Sequence, residues 1–89
     1  MSKQSKTLER IYRKPPAADI KWDELKALLR SLGYELLKNG GSRRKFYNST
    51  TDALISCHEP HPSPDIGRGT ATDIATHLRE HGINEGHYD

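Results

Sequence analysis

The sequence predicts a small α+β domain in the order helix, three antiparallel strands, helix. Three observations carry this. From Trp22 to Leu32 the apolar residues Trp22, Leu25, Leu28, Leu29 and Leu32 recur at helical spacing. Between residues 34 and 57 three short runs that carry aromatic and aliphatic residues are separated by turn signals. After a proline-rich stretch, Ala71, Ile74, Ala75 and Leu78 form a second helical stripe.

Each element has a local cause. Leu8, Ile11 and Tyr12 lie at helical spacing within the basic stretch Lys3–Lys14. They allow a short helical turn before Pro15 and Pro16, or a segment that orders only when it binds. In the Trp22–Leu32 helix, Asp23 and Glu24 occupy the first turn, where they complement the helix dipole, and Gly33 fits the C-terminal cap. Strands are expected at Tyr34–Lys38, Lys45–Asn48 and Ala53–Cys57, joined by the turns Asn39-Gly40-Gly41-Ser42 and Asn48–Asp52. His58-Glu59-Pro60-His61-Pro62-Ser63-Pro64 must run as an extended loop. Thr70 is the expected N-cap of the last helix, with Asp73 three residues on; Gly82 closes it and Ile83 packs behind. Both helices are expected on one face of the sheet.

Length and composition set limits. With 89 residues, 33% of them hydrophobic and 29% charged, the chain has room for one domain with a modest core, not for a large catalytic fold. No run approaches a membrane span, the start MSKQSKTLER has no apolar signal stretch, and the single cysteine, Cys57, has no internal partner. A soluble cytoplasmic protein without a membrane role is therefore expected. Charge is divided along the chain: residues 1–48 carry twelve Lys/Arg against five Asp/Glu, and residues 49–89 two against seven. Such a split suggests a basic face for a polyanion, nucleic acid first, or simply a mixed and solvated folded surface.

Four of the five histidines come in pairs, His58 with His61 and His77 with His81. His77-Leu78-Arg79-Glu80-His81 matches the H-x-x-E-H pattern of zinc peptidases. A catalytic zinc needs a third protein ligand, however, and Leu78 must face the core, so a polar helix face is the better account. Cys57, His58, Glu59 and His61 lack the paired spacing of a structural zinc site, so no metal or other cofactor is expected. Cys57 itself reads as a small half-buried hydrophobe. The proline-rich loop is more informative, because prolines present His58 and His61 at defined positions, and imidazole exchanges protons near neutrality. RNA brings its own nucleophile, the 2′-hydroxyl, so metal-free cleavage needs a base, an acid and cations. Arg43, Arg44 and Lys45 follow Gly41 and Ser42 in a turn whose N–H groups can approach phosphate. Strand alternation puts Arg43 and Lys45 on one face and Arg44 and Phe46 on the other. Ordinary loop hydrogen bonding for the histidines and a charged strand edge for the cations are the competing explanations.

From Trp22 to Ile83 the chain resembles the HicA family, toxins of type II HicA–HicB toxin–antitoxin modules. The resemblance lies in Gly40-Gly41-Ser42 with Phe46 four residues on, His61-Pro62 before Asp65-Ile66, Gly69-Thr70, Ile74, Leu78 and Gly82-Ile83. It leaves residues 1–21 as a basic extension and 84–89 as a tail. It implies a fold similar to a double-stranded-RNA-binding domain. It also implies a metal-independent endoribonuclease that cleaves mRNA and is neutralised by a HicB-type antitoxin. In the familiar branch the catalytic histidine follows the Gly-Ser of the turn; here that position holds Arg43, and arginine is no general base. Either His61 or His58 has taken over as acid or base, or the chain binds RNA without cutting it. A module that meets only an acidic protein partner is a third possibility. In the catalytic reading Arg43 and Lys45 hold the scissile phosphate with Ser42 and Gly41 of the turn. Lys38 and the 3–14 stretch steer the RNA backbone, and Tyr47 and Tyr12 are candidates for base stacking.

Overall fold

The computed structural model describes residues 3–38, 40–41, 43–60, 63–84 and 87. Its elements are α1 (Lys3–Tyr12), α2 (Trp22–Ser31), β1 (Glu35–Lys38), β2 (Arg43–Asn48), β3 (Ala53–His58) and α3 (Gly67–Glu80). The strands form one antiparallel sheet in the order β1-β2-β3. The helix–three strands–helix order is as the sequence predicts, with α1 added in front.

Both α2 and α3 stop in the same way. After α2, Gly33 takes φ +97° and donates to the Arg30 carbonyl, while Tyr34 N–H reaches back to Leu29. After α3, Gly82 takes φ +80° and donates to Arg79, while Ile83 N–H reaches Leu78. Each is a Schellman motif, and each sends the following apolar residue back toward the helix it has just left. Tyr34 is thereby buried, and Ile83 packs against the core. At the other end of α2 the Lys21 N–H donates to Glu24 Oε1 at 3.0 Å, one half of a capping box.

The start of α3 departs from expectation: the helix begins at Gly67, not after Thr70, and has no side-chain cap. The reason lies in the approach. Trp22 N–H donates to the Pro64 carbonyl at 2.8 Å, Ile66 N–H donates to the Ile20 carbonyl at 2.9 Å, and Lys21 pairs with Asp65 at 2.5 Å. This antiparallel bridge fixes the chain at Ile66, which is buried, so winding starts immediately afterwards. Thr70 is left inside the first turns of the helix.

Strand parity sorts the side chains. Leu36, Phe46 and Ile55 lie opposite one another on the inner face, and Phe46, 1% exposed, meets the Trp22 ring at 5.6 Å. That face packs on α2 and α3. The helix α1 packs in turn on α2 and α3, so these two form a middle layer between α1 and the sheet. Leu8 and Ile11 are fully buried and Tyr12 almost so. Each such side chain contributes roughly 1.5–3 kcal/mol by leaving water. Arg10 bridges from α1 to Asp19 (2.6 Å) and Glu24 (3.0 Å), and the Tyr12 hydroxyl donates to the Ile83 carbonyl. The basic N-terminal stretch is thus an ordered helix that shares the core.

Candidate nucleic-acid interface

The outer face of the sheet carries the residues whose chemistry stands out in the sequence. Antiparallel register sets Arg43 of β2 directly opposite His58 of β3, and Lys45 opposite Ser56. Side chains so paired sit on one face with Cβ atoms roughly 4.5–5.5 Å apart. Arg43, Lys45, Ser56 and His58 line a shallow depression of about 290 Å³. Arg43 and His58 are exposed, and Lys45 is half-buried. The same face exposes Leu37, which lies opposite Lys45, and Leu54, which lies opposite Tyr47.

Not every predicted residue joins this group. Lys38 lies opposite Arg44, so it belongs to the other face of the sheet from Arg43 and Lys45. Arg44, counted with the cations in the sequence, is committed internally. Its Nε donates to Glu59 Oε1 at 3.0 Å, and Nη1 donates to the carbonyls of Gly41 (2.8 Å) and Arg43 (2.7 Å). It ties the β1–β2 turn to the chain leaving β3. Gly41 has φ +67°, the left-handed conformation that glycine supplies to such turns. Ser42 and His61 lie outside the described residues. Tyr12 is buried under the Arg79 guanidinium, 4.4 Å from its ring centre, and so offers no base a surface. Tyr47 stays on the outer face with its hydroxyl donating to Asp52 at 2.7 Å. Cys57 is half-buried on the inner face, where burial pushes its thiol pKa up to about 11. It therefore stays protonated and unreactive at neutral pH.

The histidines of α3 are engaged with protein groups. The Tyr34 hydroxyl lies 2.9 Å from His77 Nε2, the His77 and His81 rings stack at 4.2 Å, and His81 Nδ1 donates to the His77 carbonyl at 2.8 Å. Burial, reinforced by the neighbouring His81, lowers the pKa of His77, while Glu80 opposes the shift. Burial raises that of Tyr34. A neutral imidazole accepting the Tyr34 O–H fits both directions. No group of three or more metal-ligating side chains occurs among the described residues.

A second concavity, about 340 Å³, runs between β3 and α3. Thr70, Asp73, Ile74 and His77 line it from α3, at the i, i+3, i+4, i+7 spacing of one helix stripe. Ser56 and His58 line it from β3, so both residues border this groove and the outer-face depression. Ser56 and Asp73 do not stand out in the sequence as part of a site. The signal was present in the alternation Ser56/His58 and in that helix stripe, but only the packing of α3 beside β3 joins them.

No helix among the described residues is long and apolar enough to cross a membrane. The chain matches no curated protein and no solved structure. A family model described as the HicA toxin of bacterial toxin–antitoxin systems matches residues 22–83.

Proposed function

The chain belongs to the HicA toxin family of bacterial toxin–antitoxin systems, and from that premise we propose that it is a metal-independent endoribonuclease that cleaves mRNA and is neutralised by a HicB-type antitoxin. The observation that carries this reading is the pairing of Arg43 with His58 across β2 and β3, with Lys45 on the same face. It puts an imidazole beside two cations on an accessible surface. One of His58 and His61 takes the proton of the RNA 2′-hydroxyl as the new O2′–P bond forms. The other gives a proton to O5′ as the P–O5′ bond breaks, leaving a 2′,3′-cyclic phosphate and a 5′-hydroxyl. Arg43 and Lys45 hold the phosphate and offset the charge that develops on its oxygens. The guanidinium fork at position 43 suits that binding role, since it does not lose its proton near neutral pH. Leu37 and Leu54, exposed around these cations, suit an antitoxin that covers the face and blocks RNA by occupancy.

Arg43 at the position of the familiar catalytic histidine also favours a second reading, an RNA-binding module that does not cut. Induced expression separates the two. The wild-type chain is expected to arrest growth and fragment mRNA, with the effect lost in His58→Ala or His61→Ala at unchanged protein level. Unaffected growth and intact mRNA, from a folded chain that still binds RNA, would favour the second reading.

A further inference from the structure

We propose that the groove between β3 and α3 is a base-reading subsite for single-stranded RNA, in which Asp73 selects guanine. The inference rests on the RNA reading above and extends it from phosphate to base. Three observations support it. First, Ser56 and His58 border both the outer-face depression and the groove, so the two form one continuous track. A nucleotide whose phosphate lies against Arg43 and Lys45 has its base within reach of the α3 wall. Second, about 340 Å³ is at the lower end of small-ligand pockets, suited to one nucleoside. Third, the lining has the composition of a base site: Leu54, exposed on β3, gives an apolar surface for the ring, and the hydroxyls of Thr70 and Ser56 supply adaptable hydrogen bonds.

Asp73 decides the specificity. A carboxylate repels phosphate, so beside the depression that Arg43 and Lys45 line it suits a part of the nucleotide that donates hydrogen bonds. Its two oxygens match two adjacent donors, N1–H and the N2 amino group on the Watson–Crick edge of guanine. Adenine, cytosine and uracil do not present two neighbouring donors there. His77, held by Tyr34 and on the same stripe, closes the far end of this wall without an ion pair to Asp73.

Fluorescence anisotropy with uncleavable 2′-O-methyl five-mers tests the idea: an all-uridine oligomer and versions with G, A or C at the central position, with the full-length chain. The expected result is at least tenfold tighter binding of the G-containing oligomer. Asp73→Asn and Asp73→Ala are both expected to bring it down to the affinity of the others. Asp73 is exposed, and circular dichroism of each variant checks its fold. Equal binding of all four wild-type oligomers, or a G preference that survives both substitutions, would overturn the base-reading proposal and leave the RNA reading standing. Failure of every oligomer to bind would remove both. Amide shifts at residues 70–77 that respond to an antitoxin protein and not to RNA would reassign the groove to protein contact.

Discussion

His77 shows how one side chain reports on its surroundings. It is held by the Tyr34 hydroxyl, stacked on His81 and partly desolvated, with a pKa below that of a free imidazole. A base whose folded pKa is depressed binds its proton more readily once unfolded. Stability from this residue is therefore complete above the unfolded value, roughly 6.5, and is lost as pH falls below it. Urea midpoints of the wild-type chain are expected to drop between pH 7.5 and 5.5, and His77→Gln is expected to remove part of that slope. An identical slope in the variant would place the titration elsewhere. Asn48 is another residue whose role is local: buried, it donates to the Leu32 carbonyl (3.2 Å) and accepts from Thr50 N–H (3.0 Å). It joins the end of α2 to the β2–β3 turn. Some of this chemistry was legible in the sequence. Strand parity alone separates Arg43 and Lys45 from Arg44 and Phe46. The Arg44–Glu59 pair was not legible, because its partner is supplied by the path of the loop after β3.

The elements illustrate the same division. The strands and α2 could be read because their signals are local: alternation, turn residues, a helical stripe and a glycine at its end. The exceptions are the ends that meet at the site: β2 starts at Arg43 and not Lys45, and β3 runs on to His58, where the sequence predicts a loop. The fate of α1 could not, because Leu8, Ile11 and Tyr12 are too few to hold a helix alone. They become a core face only when α2 and α3 offer a surface. The family model begins at residue 22, yet the core includes α1. Truncating Leu8, which is fully buried, is expected to cost about 2–4 kcal/mol, as large-to-small changes in packed cores do. Urea unfolding of Leu8→Ala measures this, and an unchanged midpoint would mean that α1 is dispensable to the fold. The start of α3 was misplaced by the sequence for a related reason. Thr70 is a good capping residue, but the bridge between Lys21 and Asp65 fixes the helix entry first.

For the molecule as a whole, the uneven charge along the chain does not become one basic face. The middle layer of α2 and α3 separates the lysines of α1 from Arg43 and Lys45 on the outer sheet face. Arg10, Arg13, Lys21, Lys26 and Arg44 are engaged in ion pairs with nearby carboxylates. What is left on the outer face is compact: two cations, His58, and a groove leading toward α3. A site of this size suits one scissile phosphate and its neighbouring nucleotide better than a long duplex. The most direct measurement uses the purified full-length chain and a single-stranded RNA in the presence of EDTA, with the product ends determined chemically. The account predicts cleavage to 2′,3′-cyclic phosphate and 5′-hydroxyl ends. It also predicts that His58→Ala and His61→Ala each slow the reaction by roughly 10²–10⁴-fold, the usual contribution of a general acid or base. RNA that is bound and left whole, or cleavage at full rate in both variants, would contradict it.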